Sequence, residues 1–233
     1  MNNTKPCMKI TLTDTKPSIF ESKVGGLGYI PHDGDFPTDS KGNQLRLLAQ
    51  IECEKIQLDG FMKTGLLQFW VLNNNLIGFD WNDMSNPDGF RVIYYPEIDK
   101  TVTEPEINSK FVKNKYDDNS YCYFPVYREC GMSFEKLQNK AIYIGDREKL
   151  SDEDYNEIIG HKVGGYPYFI RSDPRDEKML EYYDFLLFQL DTDGIGDKTV
   201  VMWGDLGVGN FFINSEKLKK CDFSDILYNW DCC

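Results

Sequence analysis

Gln50 and Gln189 are the residues of this chain best suited to recognition chemistry, because each places an amide where a hydrocarbon belongs. The runs Leu47-Leu48-Ala49-Gln50-Ile51 and Leu186-Leu187-Phe188-Gln189-Leu190 are otherwise apolar and read as buried strands. A buried amide left unpaired costs about 1–3 kcal/mol, so both side chains must find partners. Two arrangements satisfy that requirement. The amides bond loop backbone, that of nearby paired glycines included, or they face a shared cleft and read a ligand. The densest cluster of unusual residues is Trp203-Gly204-Asp205-Leu206-Gly207-Val208-Gly209-Asn210. Its glycines permit a bulge or sharp bend. Asp205 and Asn210 then form a pocket rim with Trp203 as its apolar wall, or each caps its own backbone in an Asx-type turn. The candidate ligand-binding set is therefore Gln50, Gln189, Trp203, Asp205 and Asn210.

Other motifs carry weaker chemistry. Lys23 and Lys162 each precede Val-Gly-Gly, where an ammonium beside a glycine turn suits an anion. The spacing of a phosphate loop is missing, so the plainer expectation is a solvated lysine with a tucked stem. Asp191-Thr192-Asp193-Gly194-Ile195-Gly196-Asp197 imitates the start of a calcium loop, but position 12 is Met202 and strands flank it. An Asp/Gly-rich hairpin turn explains it without metal. The histidines are His32, in a turn-forming loop, and His161, after an expected helix, where a dipole-compatible role fits better than that of a general base. No recognised catalytic constellation is present. No catalytic residue, metal or cofactor is assigned.

The elements that position these groups come in two copies. Lys23-Val24-Gly25-Gly26-Leu27-Gly28-Tyr29-Ile30 returns as Lys162-Val163-Gly164-Gly165-Tyr166-Pro167-Tyr168-Phe169, and 162 − 23 = 139. The glutamine strands share that offset, since 189 − 50 = 139. Gly65–Asn73 returns more loosely as Gly207–Asn214, with 211 − 69 = 142. The expectation is a single domain over 1–233 built from two half-repeats, 23–95 and 162–214, joined by 96–161. Strands are expected at 8–13, 45–56, 66–73, 76–81, 90–95, 121–127, 141–144, 186–190, 199–203 and 211–214. The stretches 66–73 and 76–81 are read as a hairpin. Short helices are expected at 133–138, 151–159, 176–185, 216–220 and 223–230. Strands predominate without βα alternation, so the expected class is α+β with short helices.

Bulk properties narrow the partners. The formal net charge of −12, from 26 basic and 38 acidic residues, disfavours nucleic acid and suits a basic protein partner. No run reaches the length of a membrane helix, and the first residues lack a secretory apolar stretch. A soluble, cytoplasmic protein without membrane association is expected. Seven cysteines form an odd set with no Cys-x-x-Cys pair, which argues against a disulfide framework or zinc ribbon.

The blocks Lys23-Val24-Gly25-Gly26, Leu47–Ile51, Gly65–Phe69, Phe90–Tyr94, His161–Pro167, Leu186–Leu190 and Trp203–Ile213 run in order along nearly the whole chain. In these blocks the sequence resembles the YwqG-like family of bacterial proteins, a domain of unknown function. The resemblance implies a duplicated α+β fold and transfers no catalytic residues. Only about twenty residues precede the first block, where relatives often carry a longer helical extension. Two functions are expected from different classes. One is a noncatalytic intracellular module binding a basic protein, in one version an immunity or adaptor protein neutralising a toxin-like enzyme. The other is a small-molecule binder or hydrolase acting at the seam between the copies through the residues named above.

Overall fold

A computed structural model describes residues 4–113, 124–141, 151 and 156–232. Its strands are β1 (Thr4–Thr13), β2 (Lys23–Val24), β3 (Arg46–Glu52), β4 (Leu66–Val71), β5 (Phe90–Tyr95), β6 (Cys130–Lys140), β7 (His161–Gly164) and β8 (Phe185–Asp191). They continue with β9 (Asp193–Ile195), β10 (Lys198–Val201), β11 (Val208–Ile213) and β12 (Ile226–Asp231). The helices α1 (Glu104–Lys110), α2 (Glu177–Tyr182) and α3 (Ser215–Lys219) are short. Ten strands form one sheet in the order β12-β11-β8-β7-β1-β6-β2-β3-β4-β5, and every pairing is antiparallel.

This overturns the expected α+β class. The chain is 36% strand and 12% helix, and its sheet curls into a nearly closed barrel. The physical reason lies in segments whose apolar spacing fits two periods. Phe223, Ile226, Leu227 and Trp230 sit at helical intervals, yet Ile226–Asp231 is a strand because both of its faces are covered. Ser133–Gln138 is likewise strand, the middle of β6, which pairs along its length with β1. Its outward residues are polar because that face meets solvent. Residues 76–81 form turns rather than the second arm of a hairpin, and β5 takes the place beside β4. Within the expected loop 97–120, α1 forms because Thr103 accepts the Glu106 N–H at its N-cap. The strand expected at 141–144 lies almost wholly outside the described residues, as does much of the helix expected at 151–159.

The barrel interior is a single apolar cluster. Its centre is aromatic: Phe69 of β4 stacks on Phe188 of β8 at 4.6 Å, and Phe211 of β11 stacks on Tyr228 of β12 at 4.6 Å. Phe90 of β5 reaches Tyr228 at 5.2 Å, so the sheet's two edge strands meet through ring contact. Trp230 Nε1 donates to Leu76 O and Tyr228 Oη to Ile77 O, which ties the β12 edge to the loop after β4. These contacts cover strand edges that would otherwise invite pairing with another chain. Among the described residues no helix is long and apolar enough to cross a membrane.

The outer face of the sheet is covered by loops. Smaller apolar clusters sit there: one around Tyr29, Phe36 and Trp70, and others around Phe169, Phe212 and Tyr168. The loops carrying Tyr29 and Tyr168 position the candidate site.

Candidate functional site

Each tyrosine loop leaves its short strand through two consecutive left-handed glycines, Gly25 (φ 64°) and Gly26 (φ 69°) in one and Gly164 (φ 74°) and Gly165 (φ 72°) in the other. Such φ values cost little only without a Cβ. The turn carries the chain across the outer face, where the glutamines wait. Tyr29 N–H donates to Gln50 Oε1 at 2.9 Å, and Tyr168 N–H to Gln189 Oε1 at 2.7 Å. The next strand supplies the matching donor. Gln68 Nε2 donates to Tyr29 O at 2.7 Å, and Asn210 Nδ2 to Tyr168 O at 2.9 Å. Two side-chain amides thus mimic a strand and satisfy both backbone groups of a buried tyrosine.

The register puts these groups in rows across the sheet. Lys23 faces Gln50, which faces Gln68; Lys162 faces Gln189, which faces Asn210, which faces Asn229. All seven are buried. The lysines are therefore not the solvated side chains expected. Lys23 Nζ is paired with Glu129 at 2.7 Å and donates to the carbonyls of Pro17 and Leu27. Lys162 Nζ donates to Ile158 O at 2.8 Å, and burial pushes its pKa down from 10.5 to about 8.

The five candidate residues fall in different places. Gln50, Gln189 and Asn210 lie under the tyrosine loops. Trp203 is fully buried inside the barrel, its ring against Gly209 and 6.0 Å from Trp230. Asp205 is exposed in the turn before β11, where Gly207 N–H bonds back to Trp203 O at 2.7 Å. The structure brings Gln189 and Asn210 together, places Gln50 at the corresponding position under the other loop, and separates all three from Trp203 and Asp205. Asn210 Oδ1, Asn229 Nδ2 and Trp203 Nε1 are buried without a hydrogen-bond partner among the described residues.

The Asp191–Asp197 segment is a hairpin built from β9 and β10. Asp191 accepts Gly160 N–H at 2.7 Å and Asp193 sits 3.0 Å from His161 Nε2. Asp191 N–H in turn donates to His161 Nδ1, so Nε2 carries the proton toward Asp193. His161 begins β7 and orients this turn. Among the described residues no three acidic, histidine or cysteine side chains converge as a metal site would require. Burial raises the pKa of Cys7, Cys53 and Cys130, Cys53 to about 12, which holds those thiols protonated.

Concavity lies beside the tyrosine loops, not at the glutamines. One cleft of about 560 Å³ is bounded by Gly165, Tyr166 and Leu186, and a second of about 580 Å³ by Gly26, Leu27 and Leu47. Subtracting 139 from the first set gives 26, 27 and 47, the second set. A third cleft, of about 270 Å³, lies beside Trp81. Sequence reasoning missed all three, although the exposed tryptophan in an Asp/Asn-rich run, Asp80-Trp81-Asn82-Asp83, was a usable signal.

Fold and site together define an all-β protein whose paired tyrosine loops roof the outside of a barrel and wall two surface clefts. The chain belongs to the family described as Domain of unknown function (DUF1963), whose model matches residues 22–232. Comparison with curated proteins returns no match.

Proposed function

We propose that this protein is a noncatalytic, intracellular binding module that recognises a basic protein segment through the loop carrying Trp81. The supporting observation is that Trp81 is 76% exposed on a segment held in place from within. Asp80 accepts Asn82 N–H and Asn86 Nδ2, and Asp83 accepts the Ser85 N–H and hydroxyl. Asp88 does the same for Ser40, which ties the loop to its neighbour. Hydrogen bonds from Asn82 and Asn86 hold the Asp80 carboxyl below its usual range, so it is ionised at neutral pH. The indole packs at right angles to the Phe79 ring, with centres 4.9 Å apart, and remains largely in solvent. A pre-ordered tryptophan beside carboxylates suits a lysine or arginine, through cation–π attraction and charge. Little ordering entropy remains to be lost on binding.

The paired loops, registers and clefts support reading the chain as a duplicated half. The ordered blocks quoted above support placing the chain in the YwqG-like branch. The formal net charge of −12 would steer a cationic partner from a distance.

A fluorescence titration with a lysine- and arginine-rich decapeptide tests this reading. Binding should perturb tryptophan emission, weaken steeply between low and physiological salt, and vanish in Trp81→Ala. Equal binding by an acidic decapeptide, or by the Trp81→Ala variant, would overturn it.

A further inference from the structure

We propose that the cleft walled by Tyr166 is a second, separate site that takes a small planar organic anion. Its floor is apolar, formed by Phe169, Leu186 and Phe212, with Leu180 at the mouth still 44% exposed. Phe169 and Phe212 lie nearly parallel at 6.2 Å, and the Arg175 guanidinium covers Phe212 at 3.8 Å. A flat apolar body fits such a surface better than a flexible chain, because rings stack without losing rotamer freedom.

The charge at the rim names the sign of the ligand. The cleft's carboxylates are already engaged: Asp173 grips Arg175 at 2.6 and 2.9 Å, and Asp184 accepts the Ser215 N–H and hydroxyl, both at 2.7 Å. Lys5 and Arg171 have no such partner. Lys5 Nζ lies 4.9 Å from the centre of the Tyr166 ring, and Arg171 Nε donates to Cys232 O at 2.8 Å. Neither side chain forms an ion pair among the described residues, and the Asp231 carboxylate beside Arg171 is engaged by the Ile170 and Arg171 N–H groups, at 3.2 and 2.7 Å. In a chain where acids outnumber bases by 38 to 26, two cationic side chains outside any ion pair on one apolar cleft run against the overall balance of charge. Partly desolvated charge is worth more than charge in open water, so an anion seated on this floor gains from both.

The matching cleft at Leu47 is lined differently. Trp70 stands at the register position of Phe212, since 212 − 70 = 142, but is buried away from the cleft. Phe36 packs on Trp70 at 5.7 Å and on Phe111 at 5.7 Å, while Arg46 lies 4.0 Å over Phe111. Phe111 and Arg46 both line that cleft, which stays open at about 580 Å³, so a cation resting on an aromatic face is a pairing this surface already uses.

The test is a pair of titrations followed by heteronuclear NMR, with 2-naphthoate and uncharged 2-naphthalenemethanol as probes. Naphthoate should shift resonances of residues 165–172 and Leu180 saturably, binding at least about fivefold tighter than the alcohol. Arg171→Glu and Lys5→Glu should each weaken naphthoate by about fivefold or more, with little effect on the alcohol. Trp81→Ala should leave both titrations unchanged, so this proposal and the peptide-binding one fail independently. Equal binding of the two probes overturns the proposal without any variant. So do shifts centred elsewhere, or naphthoate binding that does not saturate by the low-millimolar range.

Discussion

Lys23 and Lys162 stand at matching places in the sheet and have opposite electrostatic lives. Lys23 has a carboxylate at 2.7 Å and two carbonyls. Lys162 has one carbonyl and no ion pair among the described residues. The amides follow suit. Gln50 has four partners: it accepts from Tyr29 and Gln68 and donates to the carbonyls of Ile19 and Glu21. Gln189 accepts from Tyr168 and donates to Gly160 O. Beyond it, Asn210 Oδ1 and Asn229 Nδ2 lack partners among the described residues, whereas Gln68 Oε1 accepts Trp70 Nε1 at 2.9 Å. One loop is held by a complete polar network and the other by a partial one. Open clefts of similar size, about 560 and 580 Å³, nevertheless lie beside both loops. The difference therefore lies in the polar groups beneath the loops, not in the openness of the surface.

The sharpest way to break this comparison is to remove the amides. Gln50→Leu strands several buried groups and should cost about 4 kcal/mol, against about 2 kcal/mol for Gln189→Leu. Urea unfolding monitored by circular dichroism measures both. Equal losses would mean that the partner count does not set loop stability.

The lysines come next. Lys23→Met leaves Glu129 without its cation and should destabilise by about 3 kcal/mol, whereas Lys162→Met should be neutral or stabilising at pH 7. The pH dependence carries the sign. The folded pKa of Lys162 is lowered to about 8 from 10.5, so between those values the unfolded chain binds more protons. Stability gained from this group therefore rises with pH across that window, by about 3 kcal/mol in all, and the burial penalty is fully present below pH 8. Wild type should show the rise and Lys162→Met should lack it. A flat profile in both would remove the contrast.

The smallest effect concerns His161. Its hydrogen bond lowers the Asp193 pKa, so the stability this adds is present above the ordinary carboxylate range and lost as pH falls through the folded value. Asp193 is 44% exposed, and Asp193→Asn should cost less than about 1 kcal/mol at pH 7. The variant's acid unfolding should be slightly shallower near pH 4 or below. A loss of several kcal/mol would show that the hairpin depends on that side chain for more than this hydrogen bond.

Several of these features could be read from residue types alone. Paired glycines before an aromatic loop announce left-handed backbone, and a glutamine inside an apolar strand announces a buried partner; both are local, side-chain-specific constraints. The offset of 139 located the matching environments of Gln50 and Gln189. What stayed hidden was tertiary. Which of two apolar periods segments 133–138 and 223–230 would follow depended on neighbours far along the chain, and those neighbours made both into strands. The clefts were illegible for the same reason, since Lys5 and Arg171 lie far apart in sequence. Trp203 and Asp205, read together as a pocket, are parted by the sharp turn that begins β11.

β1 pairs with β7 and with β6, while β6 also pairs with β2. β1 precedes β2–β5 in the chain yet is bonded to β7, and β6 precedes β7, β8, β11 and β12 yet is bonded to β2. Cutting the chain between β5 and β6 would not release two self-sufficient pieces. Each fragment would carry an arm whose proper bed is in its counterpart, so the severed parts should reassemble only by embracing one another, like the clasped hands of a split reporter.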